Sequence, residues 1–91
     1  IHTACRQGEK NKVKMLLNMN KDRIDLNKKD ILGRTPFFIA CENNRFEIVE
    51  MLMESLSLNV NVKDNLGRTP FLIALEQNDL NILKALLMDG R

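Results

Sequence analysis

Five residues, Gly33-Arg34-Thr35-Pro36-Phe37, return 34 positions later as Gly67-Arg68-Thr69-Pro70-Phe71. The match extends outward at the same offset: Asp30 and Leu32 return as Asp64 and Leu66, and Ile39-Ala40 as Ile73-Ala74. A fixed period of this size marks a chain built from stacked units, each too small to bury its apolar face alone. The motif also has a local reading. Asp and Gly bracket two residues, which suits a β-turn opening on Asp and closing on Gly. Thr then supplies a hydroxyl that can accept from a free N–H of a helix's first turn. Pro fits the first helical position, where its missing N–H costs nothing. Each copy predicts a turn, a cap and a helix start.

The rest of the chain falls into the same register. Ile1 to Gly8 aligns with Phe37 to Asn44 and with Phe71 to Asn78, and each stretch reads as a short helix. All three end on Gly8, Asn44 or Asn78, the residue types that most readily take the left-handed conformation closing a helix. A second helix follows in each unit, with apolar residues at spacings of three and four. These are Val13, Met15, Leu16 and Leu17, then Phe46, Ile48, Val49, Met51 and Leu52, then Leu80, Ile82, Leu83, Leu86 and Leu87. Polar connections ending in Asp25-Leu26-Asn27 and Asn59-Val60-Asn61 lead back to the next turn. Ala4 to Ala40 is 36 positions and Ala40 to Ala74 is 34, a difference assigned to insertions between a second helix and the following turn.

The unit is turn, helix, reversal, helix and return loop, and it resembles the ankyrin repeat. That family's signature is Thr-Pro-Leu-His-x-Ala at a period of 33. The copies here read Thr35-Pro36-Phe37-Phe38-Ile39-Ala40 and Thr69-Pro70-Phe71-Leu72-Ile73-Ala74. The resemblance covers essentially the whole chain. It implies an all-α solenoid of stacked helix–turn–helix units joined by β-turn, hairpin-like loops. One domain, 1–91, then holds a partial first repeat (1–29), a second (30–63) and a C-terminally incomplete third (64–91). The family's His is kept at His2 but is Phe38 and Leu72 in the later copies, and its usual Leu is Phe37 and Phe71. A larger aromatic share of the core is therefore expected.

The two ends differ. Lys10 and Lys12 stand where later repeats have Phe46 or Leu80 and Ile48 or Ile82, which reads as a polar N-terminal edge. The third repeat stays as apolar as the second, so the 91 residues are expected to be a fragment of a longer protein whose further repeats cover the C-terminal face, or else self-association covers it.

Chemistry is sparse. His2 is the one histidine, and it reads as a structural residue of the repeat. Cys5 and Cys41 share one repeat position on helices about 8–10 Å apart, too far for a disulfide. They read as small buried residues. Glu42 and Glu76 also recur, and read as a solvated ridge rather than an acid–base pair. There is no Cys-x-x-Cys and no phosphate-cradling glycine loop. No catalytic site, cofactor or metal is expected.

Net charge is +2, and no apolar run is long enough to span a membrane, so neither a nucleic-acid partner nor membrane insertion is expected. Residues 1–30 carry eight Lys/Arg against four Asp/Glu, which reads as a solvated face. A weaker reading makes Lys10, Lys12, Lys14, Lys21, Lys28 and Lys29 an anion-binding patch. Two cysteines and no Asn-x-Ser/Thr lean toward an intracellular, cytoplasmic protein.

What remains is a surface. The resemblance implies a non-catalytic module that binds a partner protein on its concave side, through turn tips and first helices. The tips are Ile31, Leu32 and Arg34, then Asn65, Leu66 and Arg68. The helix positions are Arg6 and Gln7, Glu42 and Asn43, and Glu76 and Gln77. Ile31, Leu32 and Leu66 support this independently, as apolar residues set in turns beside arginine. Arg34 and Arg68 have no structural task visible in the sequence. A second reading stays open: a regulatory or targeting segment of a larger enzyme, channel or effector.

Overall fold

The computed structural model describes residues 1–19, 25–55 and 58–89, and among them it is helical with no strands. Six helices run in pairs: α1 (His2–Gln7) with α2 (Lys10–Met19), α3 (Pro36–Glu42) with α4 (Phe46–Met53), and α5 (Pro70–Gln77) with α6 (Leu80–Asp89). Helices of this length are marginal alone in water, so packing must hold them. It does so in two layers. The first helices stack α1 on α3 on α5, and the second helices stack α2 on α4 on α6. The assembly measures 33 × 26 × 24 Å.

The repeated motif builds each joint as its chemistry requires. Gly33 N–H donates to the Asp30 carbonyl at 3.0 Å and Gly67 N–H to the Asp64 carbonyl at 3.0 Å, closing the two β-turns. Thr35 is extended (φ −85°, ψ 166°), and its hydroxyl accepts from Phe38 N–H at 3.2 Å. Thr69 caps α5 the same way, accepting from Leu72 N–H at 3.2 Å. The helix stops at Gly8, Asn44 and Asn78 are all left-handed, with φ of 73°, 59° and 55°. The return connections are held by short side chains: the Asp25 carboxylate accepts from Asn27 N–H at 2.9 Å, and Asn59 Oδ1 from Asn61 N–H at 3.1 Å. The two length-changing insertions and Lys21 fall wholly or partly outside the described residues.

The core runs through all three repeats, from Ala4, Cys5 and Val13 through Phe37, Ile39, Ile48, Val49 and Leu52 to Ala74 and Ile82. Leu58 and Val60 of the return connection close its floor. Phe38, Val62 and Ile73 form a second buried cluster. The aromatic contribution comes from one repeat: Phe37 and Phe38 are fully buried, while Phe71 is 38% exposed. Phe71 lies on the outer face of the third repeat, away from α3 and α4. Met15 likewise points away from the apolar stripe of α2 and is exposed.

Both cysteines are free and buried. Burial pushes the Cys5 thiol up to about 11, against the opposing pull of the N-terminal ammonium, and raises Cys41 further, with Asp79 adding to it. A thiolate is the reactive form. Neither cysteine should therefore react with Ellman's reagent in the folded protein, and both should react on unfolding in urea. Fast labelling of the native chain would mean that α1 or α3 opens readily.

Candidate partner-binding surface

The turns and first helices share one side of the stack. Their tips are held by the aspartate that opens each turn. Asp30 Oδ1 accepts from Leu32 N–H at 3.0 Å and from Arg34 N–H at 2.8 Å, and Asp30 N–H donates to the Arg34 carbonyl at 2.8 Å. Asp64 repeats this with Leu66 N–H at 3.0 Å, Arg68 N–H at 2.8 Å and the Arg68 carbonyl at 3.0 Å. The tips are also tied to each other. Asn65 N–H donates to the Leu32 carbonyl at 3.0 Å and Asn65 Nδ2 to the Ile31 carbonyl at 3.0 Å.

The two arginines prove structural, contrary to the expectation from sequence. Arg34 Nε donates to Asp30 Oδ2 at 3.1 Å, and its Nη1 donates to Glu42 Oε1 at 2.7 Å. Arg68 Nε donates to Asp64 Oδ2 at 2.9 Å, its Nη2 lies 3.7 Å from Glu42 Oε2, and its guanidinium sits 6.0 Å from the Phe38 ring centroid. Glu42 is thus no solvated ridge. It is half-buried and bridges the arginines of two consecutive repeats. Its counterpart Glu76 is exposed and makes no ion pair among the described residues.

The network carries a pH dependence. Burial works to raise the Asp30 and Asp64 carboxyls. The backbone N–H and guanidinium of Arg34 or Arg68, with the N–H of Leu32 or Leu66, outweigh it and hold both below the usual carboxylate range. A depressed folded pKa stabilises the fold above the unfolded value of 3.8, and that stability is lost as pH falls through the folded value. Urea midpoints should therefore fall steeply below about pH 4. Asp64→Asn should cost about 1–2 kcal/mol at pH 7 and flatten that slope. An unchanged slope in the variant would assign the acid sensitivity to other groups.

The remaining expected contacts separate by exposure. Ile31 is 92% exposed, Leu32 52% and Leu66 77%, so none of the three tucks back against a neighbouring repeat. Arg6, Gln7, Asn65, Glu76 and Gln77 are exposed, while Asn43 is half-buried. Gln77 Nε2 donates to the Glu42 carbonyl at 2.6 Å and Asn43 Nδ2 to the Ile39 carbonyl at 2.8 Å, so both also tie helices down. The basic first third is partly neutralised: Lys10 pairs with Glu47, and Lys12 lies 3.8 Å from Glu9. Among the described residues no group of three or more His, Cys, Asp or Glu is placed to hold a metal ion. No described helix is long and apolar enough to cross a membrane.

The sequence matches the family described as ankyrin repeats, in three copies, over residues 1–91. The chain belongs to the ankyrin-repeat family. Members of this family are in general protein–protein interaction modules and typically non-catalytic. No curated protein sequence matches the chain. Among solved structures, a chain in the complex of the Bd0816 predatory endopeptidase from Bdellovibrio bacteriovorus with the immunity protein Bd3460 is similar. It superimposes with a TM-score of 0.86 at 31% identity over 98% of this chain. The present chain spans 45% of that chain's length. Within the ankyrin frame, His2 keeps the family histidine, and its Nε2 donates to the Lys28 carbonyl at 2.9 Å, tying α1 to the next connection. At the two later positions apolar side chains stand instead, Phe38 buried and Leu72 exposed.

Proposed function

We propose that this chain is a non-catalytic recognition module that binds a folded protein partner through its turn tips and first helices, the concave side in ankyrin domains. One observation carries the reading: Ile31, Leu32 and Leu66 are apolar, exposed, and mounted on turns locked by Asp30, Asp64 and the Asn65 crosslinks. Exposed apolar side chains cost solvation unless a contact covers them, and a rigid presentation loses little entropy when it does. Arg6, Gln7, Asn65, Glu76 and Gln77 supply a polar rim, and Arg34, Glu42, Asn43 and Arg68 hold the surface in shape while offering their outer edges. The similar solved structure is that of a complex between two proteins, which supports a folded protein as partner.

The test uses the tips alone, because the arginines also hold the fold. The intact chain and an Ile31→Asp/Leu32→Asp/Leu66→Asp variant are immobilised and exposed to lysate of the source cells. Loss of a specifically captured protein, at an unchanged melting temperature, is the expected outcome. Equal capture by both chains would place the binding surface elsewhere.

A further inference from the structure

The lysines of the first third, grouped in the sequence, part company in the fold. Lys10 and Lys12 lie on α2 and pair with Glu47 and Glu9. Lys28 and Lys29 instead lead into the first turn. Lys29 stands one residue ahead of Asp30, and Lys63 holds the same place ahead of Asp64. All three turn lysines are exposed, and none makes an ion pair among the described residues. Arg6 on α1 is likewise exposed and unpaired.

The carboxylates that could answer these cations are already engaged. Asp30 and Asp64 each accept from two backbone N–H groups and a guanidinium. Glu42 faces two arginines, and Asp25 accepts from Asn27 N–H. Glu50 and Glu54 belong to α4 and its C-cap, in the other layer. Among the described first helices, Glu76 is the one carboxylate left without an ion pair.

Asn65 ties the two turns together, so their side chains form one ridge. Lys29 and Leu32 recur along it as Lys63 and Leu66, at the spacing of stacked helices, about 8–10 Å. Like charges gathered without counter-ions repel, and a basic partner surface would add to that repulsion. An uncharged one would leave the lysines to lose water with nothing in exchange.

We infer that the partner surface covering the tips is acidic. It sets one carboxylate against Lys29 and another against Lys63, about 8–10 Å apart, beside apolar side chains that meet Ile31, Leu32 and Leu66. The inference rests on the reading that the tips bind a protein, and adds the charge of that protein. The apolar side chains hold the partner, and the lysines choose it and speed encounter.

A selection tests this without a known partner. Random peptides displayed on phage are selected on the 91-residue chain at about 0.05 M salt. Each selected peptide is synthesised and measured by fluorescence anisotropy against three chains. These are the parent, an Ile31→Ser/Leu32→Ser/Leu66→Ser variant that removes apolar contact without adding charge, and a Lys29→Glu/Lys63→Glu variant. Matching melting temperatures confirm that all three are folded. Peptides that lose binding to the serine variant should be rich in Asp and Glu. They should bind the lysine variant at least about tenfold more weakly, and weaken by a similar factor at about 0.5 M salt. Peptides that need the three apolar side chains, yet are neutral or basic and ignore the lysine change, would overturn the inference and leave the tips as a binding surface. A selection yielding no binder, or only binders indifferent to the serine variant, would overturn both. Phosphatidylserine vesicles or a short single-stranded RNA that bind the parent more tightly than any selected peptide, and lose it with the lysines, would also overturn the inference by making the ridge a phosphate site.

Discussion

Phe37→Ala is expected to lower the stability of the chain by about 3–5 kcal/mol, whereas Phe71→Ala should cost about 1 kcal/mol or less. The two phenylalanines hold the same place in the same motif, each one residue behind a helix-starting proline. Phe37 is fully buried in the main core, among side chains from all three repeats. Truncating it loses the transfer free energy of the ring and leaves a cavity that two short layers of helix cannot easily close. Phe71 is 38% exposed on the outermost repeat, so much of its surface is already wet. A small domain holds only about 5–15 kcal/mol in all, so the Phe37 variant should be substantially unfolded at low urea while the Phe71 variant melts near the parent. Equal losses measured by urea titration would show that the repeats share one core evenly, contrary to the burial seen here.

The second large effect separates the paired glycines. Gly33 and Gly67 both close a β-turn at positive φ, 79° and 77°. An alanine at either must adopt a left-handed backbone, which costs about 1–2 kcal/mol. At Gly67 that is the whole cost, because a Cβ there would meet open space. At Gly33 the Cβ would stand 2.9 Å from the backbone nitrogen of Asn65, which donates to the Leu32 carbonyl. Relief requires the two tips to part, so Gly33→Ala should cost about 2–4 kcal/mol and Gly67→Ala about 1–2 kcal/mol. Denaturant midpoints of the two variants decide it. If they coincide, the tip-to-tip contact through Asn65 adds nothing to stability.

Turns, caps and helix stops were legible in the sequence because each is fixed by residues within a few positions of one another. Asp with Gly closes the turn, Thr with Pro starts the helix, and Gly or Asn ends it. The period of 34 then places the helices in two layers without further information. The candidate surface was legible only as a register. Which of its members are free depends on distances between residues far apart in the chain. Glu42 accepts from Arg34, eight positions before it, and faces Arg68, a full repeat away. No local pattern announces such a bridge, and the arginines look idle until the stack brings the three together. Exposure at the last repeat was partly legible: the third repeat's apolar positions carry no polar outer side, and Phe71, Leu75 and Leu87 are exposed there.

The stacking of each helix on its own partner and on the next repeat also governs how the chain comes apart. Contacts that are local in sequence close small loops, so folding should be fast for a chain of this size. Opening should also be graded rather than uniform. The second repeat is braced on both sides, by α1 and α2 and by α5 and α6, and its amides should exchange with solvent most slowly. Amides of α1 and α2, and of α5 and α6, each pair braced on one side, should exchange sooner, so that the molecule loosens at its two outer repeats before it loses its centre.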